Sequence, residues 1–187
     1  MKYYKLSTDM IRSEDIICHY ENDFGIQQND LVIGKKFDGW DGRFKFSFDQ
    51  KEGHLATDYL ANDKGWFVVS LKLKKLLESL NTDIQFLPVE IIEKDGKQKL
   101  PYYIGNIIRV VDALCLEESD YFSTEISTIG TIYTVSKFAV YEKKIQKSDV
   151  FKLANRQEVP VFVSENFKNL IEKNNITGIT LTEIKVI

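Results

Sequence analysis

The sequence predicts an α+β protein, a mixed or antiparallel sheet with two short helices supplied by a duplicated strand-helix-strand unit. Three observations carry that expectation. Trp66–Asn81 (WFVVSLKLKKLLESLN) and Pro160–Asn175 (PVFVSENFKNLIEKNN) align without gaps at six identical positions of sixteen, where ordinary residue usage gives about one. Runs of β-branched and aromatic residues outnumber helical patterns in the rest of the chain. The 187 residues include only three prolines and no low-complexity tract, so no linker stands out.

Along the chain, strand character begins at Tyr3–Leu6 and Asp15–Tyr20 and recurs at Phe44–Phe48, where Phe44, Phe46 and Phe48 alternate. The turn signal Asn62–Gly65 marks the end of an N-terminal strand-rich part, residues 1–61, ahead of an α+β part over 62–187; the two can equally run on as one domain. Phe67–Val69 then reads as a short buried strand ended by Ser70. That serine suits a helix N-cap, because its hydroxyl can accept from one of the unpaired amides of the first turn. Leu73, Leu76, Leu77 and Leu80 make one apolar stripe at three- and four-residue spacing, and Asn81 sits where a left-handed residue would stop the helix.

Ile84–Ile92 and Tyr102–Val111 form a hairpin around the turn Glu93–Lys97. Further strands follow at Thr131–Val135, Phe138–Tyr141 and Val150–Leu153, with Lys143–Ser148 as a loop. The second unit repeats the first: Val161–Val163 is the strand, Ser164 the cap, and Phe167, Leu170 and Ile171 the stripe. Glu165 and Lys173 suit the helix dipole, Asn175 is the stop, and Ile179–Val186 is the returning strand.

The formal charge of −3 lacks the basic excess needed to neutralise phosphates, so nucleic acid is not expected as a direct partner. No apolar run approaches the roughly 20 residues that cross a bilayer. Cys18 and Cys115 are too few for a disulfide framework and no secretory leader opens the chain, which together predict a cytoplasmic protein. Residues 117–127 hold Glu117, Glu118, Asp120 and Glu125 and no base.

Catalytic signatures are sparse. His19 and His54 are the only histidines, and neither lies in a HExxH or HxH pattern, so neither a metal nor a cofactor is expected. Cys18 and His19 are adjacent on a strand, where neighbouring side chains point to opposite faces and cannot readily pair as nucleophile and base. Asp38–Gly42 (DGWDG) lacks the ligand spacing of a calcium loop and reads first as a double Asp-Gly turn leading into the Phe44 strand. Trp40 within it is also a candidate aromatic anchor for a protein partner. The candidate partner-binding residues are therefore Asp38, Trp40 and Asp41, then Glu117, Glu118 and Asp120. An enzyme with an unfamiliar carboxylate-based site is the alternative, recognisable by a deep pocket of convergent acids with raised pKa values.

The pattern FVSE-x-F-K-x-x-I-E at Phe162–Glu172, followed by Ile176-Thr177-Gly178, resembles the C-terminal signature of a family of immunity proteins from bacterial polymorphic toxin systems. Val68-Val69-Ser70 with Leu76-Leu77-Glu78 fits the same pattern and leads into Phe86, Leu87, Pro88 and Val89. A Tyr-x-x-x-Asn stretch follows (Tyr102, Tyr103, Ile104, Asn106), running on through Val111 to Asp112. Asp149, Val150, Phe151 and Lys152 look like a further family strand. The resemblance covers roughly residues 60–187. It implies a small non-enzymatic protein that binds and neutralises a cognate toxin, and it carries over no site residues, because the patterned positions read as core and caps.

Overall fold

Serine ends two strands and starts two helices in this chain. A computed structural model describes residues 1–9, 12–128 and 130–187. Its elements are β1 (Tyr3–Thr8), β2 (Ile17–Cys18), β3 (Lys45–Phe48), β4 (Tyr59–Asn62), β5 (Val68–Val69), α1 (Leu71–Leu77), β6 (Ile84–Glu93), β7 (Lys99–Ile107), β8 (Val110–Val111), β9 (Asp120–Ile126), β10 (Gly130–Lys137), β11 (Ala139–Val140), α2 (Glu142–Ile145), β12 (Val150–Leu153), β13 (Val161–Ser164), α3 (Glu165–Lys173) and β14 (Ile179–Val186). The architecture is mixed α+β, mostly sheet with few short helices.

Among the described residues the strands form two six-stranded sheets and one two-stranded ribbon. The first sheet runs β2-β4-β5-β7-β6-β3, the second β11-β14-β1-β13-β12-β8, and the ribbon is β9 with β10. Both large sheets are antiparallel through their middles and close with a parallel pair at each end: β2 with β4 and β3 with β6 in the first, β8 with β12 and β11 with β14 in the second. The hairpin β6–β7 pairs in register from Ile84 opposite Ile107 to Ile92 opposite Lys99. The N-terminal strand β1 lies between β13 and β14, near the other end of the sequence.

Alternation decides which side chains meet. Phe44, Phe46 and Phe48 point inward with Trp66, Leu87, Val89, Ile91 and Ile104 on one face of the first sheet. A central cluster draws Phe67 and Val69 from that sheet and Tyr4, Leu6 and Val163 from the second. It encloses the buried faces of both longer helices, Leu73 and Leu77 from α1 and Phe167 and Ile171 from α3. Tyr3, Phe138, Phe151 and Phe162 build a third cluster on the far face of the second sheet. Burying one such side chain is worth roughly 1.5 to 3 kcal/mol, so these clusters dominate the stability of each sheet.

The caps form as expected: the Leu73 amide donates to Ser70 Oγ at 3.1 Å and the Phe167 amide to Ser164 Oγ at 3.2 Å. Other expectations need correction. Helix α1 stops at Leu77 with Glu78 as its C-cap, short of Asn81, whose amide instead donates to Asp149 Oδ2 at 2.9 Å. Asn175 does adopt the left-handed conformation, with φ of 50°. The long strand expected over Tyr102–Val111 breaks after Ile107, because β8 crosses to the second sheet to pair with β12. Where a loop was expected over Lys143–Ser148, the short helix α2 runs in from Glu142 to Ile145 and buries Ile145. The acidic stretch 117–127 contains strand β9.

Candidate partner-binding surface

The turn Asp38–Gly42 leans on the first sheet. Asp41 Oδ1 accepts from the Arg43 amide at 3.0 Å and its Oδ2 pairs with Arg43 Nε at 2.6 Å, a local turn that Gly42 permits with φ of 76°. The Arg43 amide and guanidinium hold the Asp41 carboxyl below the usual range. Trp40 is partly buried against the Phe44 cluster, and its Nε1 donates to Pro88 O at 2.9 Å across the edge of β6. The anchor expected to project from this turn is therefore clamped at one end, while Asp38 stays exposed.

The second group lies on the turn before the ribbon and at the start of β9, beside β14 of the second sheet. Glu117 Oε2 accepts from Tyr141 Oη at 3.3 Å and from Cys115 Sγ at 3.5 Å. Its own backbone amide and then these two donors lower its pKa. Glu118 pairs with Lys185 on β14, and Asp120 with Lys137 across the ribbon at 2.8 Å. Glu118 and Asp120 flank a groove of about 500 Å³ whose other walls include Lys5, Phe138 and Ile184. Among the described residues no hydrogen bond, ion pair or ring contact joins this group to Asp38, Trp40 and Asp41.

The residues that sequence reading missed lie on the ribbon. Every residue of β9 is exposed, and Phe122 is 77% exposed, the most open large apolar side chain among the described residues. Tyr121 stacks edge-on against Tyr133 at 5.3 Å. Alternation of Phe122, Thr124 and Ile126 with Tyr121, Ser123 and Glu125 was a usable signal, obscured by the interspersed acids.

For the alternative of an enzyme, the relevant features are the acids and the serines. Where a carboxyl is clearly perturbed, at Asp41, Asp49, Glu90 and Glu117, hydrogen bonds and neighbouring cations hold it low, and all four are solvent-facing. Among the described residues no three His, Cys, Asp or Glu side chains are arranged to hold a metal ion. Ser70 Oγ donates to Asp58 Oδ1 at 2.6 Å and Ser164 Oγ to Asp149 Oδ1 at 2.5 Å. Each hydroxyl is thus spent on an aspartate and a helix amide, and among the described residues neither hydroxyl hydrogen-bonds to a histidine or lysine that could act as base. No helix among the described residues is long and apolar enough to cross a membrane.

No curated protein matches the chain. The family model described as Immunity protein family (Imm11) matches residues 2–186. That span reaches further toward the N-terminus than the resemblance read from residues 60–187, and it takes in β1, which the fold places between the two strands of the C-terminal unit. The chain belongs to the Imm11 immunity protein family.

Proposed function

We propose that this chain acts in the bacterial cytoplasm as the immunity protein of a polymorphic toxin system, binding a cognate protein toxin and occluding its active site or substrate path. Family membership across residues 2–186 carries this reading. The acids Glu117, Glu118 and Asp120 would face the partner, with Asp38, Asp41 and the open face of Trp40 as a second contact. Surface acids steer a basic partner and set salt-sensitive association rates more than they set affinity. The test is copurification with the product of the neighbouring toxin gene and protection of cells expressing it. A Trp40→Ala, Glu117→Lys, Glu118→Lys variant is expected to fold and to lose protection. Full protection by that variant would remove these residues from the contact, and failure of the unaltered protein to bind or protect would remove the function.

We further infer that β5-α1-β6 and β13-α3-β14 are copies of one ancestral unit. In each, a serine caps the helix and donates to an aspartate just before the preceding strand, Asp58 ahead of β4 and Asp149 ahead of β12. In each, one antiparallel strand separates the two strands of the unit, β7 in the first and β1 in the second. Such a scaffold would present loops and ribbon as a preformed surface, which lowers the ordering cost of binding.

A further inference from the structure

The ribbon β9–β10 forms a sheet of its own, apart from both six-stranded ones. Isolated two-stranded ribbons are marginal in water and gain from a third strand. The two edges of this ribbon differ. β10 leans on the body: buried Gln157 donates from Nε2 to Tyr133 O at 2.7 Å, and Val135 packs against the Phe138 and Phe151 cluster. The outer edge of β9 has no such cover. Among the described residues its amides and carbonyls bond only within the ribbon, to β10 and to the Ser136 hydroxyl. Asp120–Ile126 also contains neither proline nor lysine, the residues that usually blunt a free edge.

Charge narrows the occupant. Lys185 neutralises Glu118 and Lys137 neutralises Asp120, so among the described residues Glu117 and Glu125 remain without an ion pair. Phe122 and Ile126 stand on one face of β9 and Glu125 on the other, 77% of Phe122 being open to solvent. An incoming strand therefore meets unpaired backbone, one large apolar side chain and surplus negative charge.

Resting on the toxin-binding reading, we infer that β9 is the docking edge: an extended, basic segment of the toxin adds to it as a third strand between Tyr121 and Ile126. Phe122 seats in an apolar recess of the toxin, and a lysine or arginine of the added segment meets Glu125. A second copy of this chain is the poorer occupant, because self-pairing of β9 would bring the same uncompensated acids face to face.

The experiment measures binding of the purified product of the neighbouring toxin gene to the unaltered chain and to Phe122→Asp, Glu125→Lys and the surface control Glu172→Lys. Phe122→Asp should weaken binding roughly thirty-fold or more, as for a central aromatic anchor. Glu125→Lys should flatten its salt dependence, and Glu172→Lys should change neither. All three should keep the parent melting temperature, since these side chains lie outside the core. Amide exchange at Tyr121–Ile126 should slow on complex formation. If the unaltered chain binds and both ribbon variants bind equally well, the docking edge is wrong while toxin binding stands. If the unaltered chain does not bind, the toxin-binding reading fails and this inference with it. Slowed exchange of β9 on self-association without toxin would identify a second copy as the occupant and overturn the assignment.

Discussion

Asp149 and Ser164 are joined by a hydrogen bond of 2.5 Å at the entrance to α3, and the other oxygen of the same carboxylate takes the Asn81 amide from the loop after α1. Asp58 does the matching work at the other helix: it accepts from Ser70, and its Oδ2 accepts from the Thr177 amide at 3.1 Å in the loop after α3. Each aspartate thus braces its own cap and the loop of the opposite unit.

Removing the buried carboxylate should cost more than removing the cap. Asp149→Ala leaves the Ser164 hydroxyl and the Asn81 amide without acceptors in a buried site, and is expected to destabilise by about 3 kcal/mol. Ser164→Ala loses the bond from Phe167 and should cost about 1 to 2 kcal/mol. The double variant should lose less than the sum, because the pair is coupled. Urea unfolding of all four proteins measures this, and strict additivity would show the two groups to be independent.

Gly178 should not tolerate a side chain. Its φ is +83°, and a Cβ there would stand 2.3 Å from Tyr59 O and 2.8 Å from Thr57 Cβ. At this point the C-terminal unit touches β4, with the Tyr59 amide donating to Thr177 O at 3.2 Å. Gly178→Ala combines a left-handed backbone with a clash against main chain, so a loss of at least about 2 kcal/mol is expected. A melting temperature within about 2 °C of the parent would contradict this, given that 1 kcal/mol moves a domain of this size by roughly 2 to 4 °C.

These residues also mark how far the sequence was legible. Ser70, Ser164 and the stripes through Leu73 and Phe167 were readable because capping and burial act within a few residues and repeat at fixed spacing. The early end of α1 was not, because the competitor for the Asn81 amide is Asp149, 68 residues away. Nothing local ties Asp58 or Asp149 to a helix cap 12 or 15 residues further on, and the position of β1 depends on pairings across most of the chain. Among the candidate site residues, Trp40 was read as part of a turn leading into the Phe44 strand; the structure has irregular chain there with one bend, at Gly42, and β3 begins at Lys45. The bond from Trp40 to Pro88 O could not be foreseen, since nothing local says which sheet edge lies beneath the ring. β9 was hidden for a different reason: no face of it is buried, so its alternation of Phe122, Thr124 and Ile126 is weak and is broken up by Asp120 and Glu125.

Lys152 should make stability rise with pH on the alkaline side. Its side chain is buried, and Nζ donates to Val32 O at 2.8 Å and Glu158 O at 2.7 Å, with no ion pair to a carboxylate among the described residues. Burial pushes its pKa down from 10.5 to about 8, against a smaller opposing pull from Glu158. Between those two values the unfolded chain holds a proton that the folded chain has released, so this group favours folding more as pH rises from about 8 to 10.5. Partly buried Tyr59 and buried Cys18, whose pKa values are pushed up to about 12 by desolvation, act in the opposite sense at high pH. The clean readout is therefore the difference between the parent and Lys152→Met. That difference should shift in favour of the parent by about 2 kcal/mol between pH 7.5 and pH 9.5, and a pH-independent difference would show that Lys152 does not titrate in this window.

His19 should have the contrary dependence near neutrality. Its ring lies between two carboxylates, Nδ1 at 3.0 Å from Asp63 and Nε2 at 2.8 Å from Glu52, and so ties two turns of the first sheet to the end of β2. Burial of the ring is the largest single influence on its pKa and pulls downward. The hydrogen bonds and charges of Asp63 and Glu52 together outweigh it, and the net shift is upward from 6.5. A histidine with a raised folded-state pKa contributes fully below its unfolded value and loses that contribution as pH climbs through the folded one. The window therefore opens near pH 6.5 and lies above it. With the side chain 35% exposed, solvent and salt screen the pair, and less than about 1 kcal/mol is at stake. His19→Gln should accordingly cost more at pH 5.5 than at pH 8, and the gap should shrink in high salt. Resonance titration of His19 against His54 gives the direct check: a His19 pKa at or below the ordinary value would mean that the carboxylates do not hold the imidazolium, and the pH dependence of the variant should then vanish or reverse.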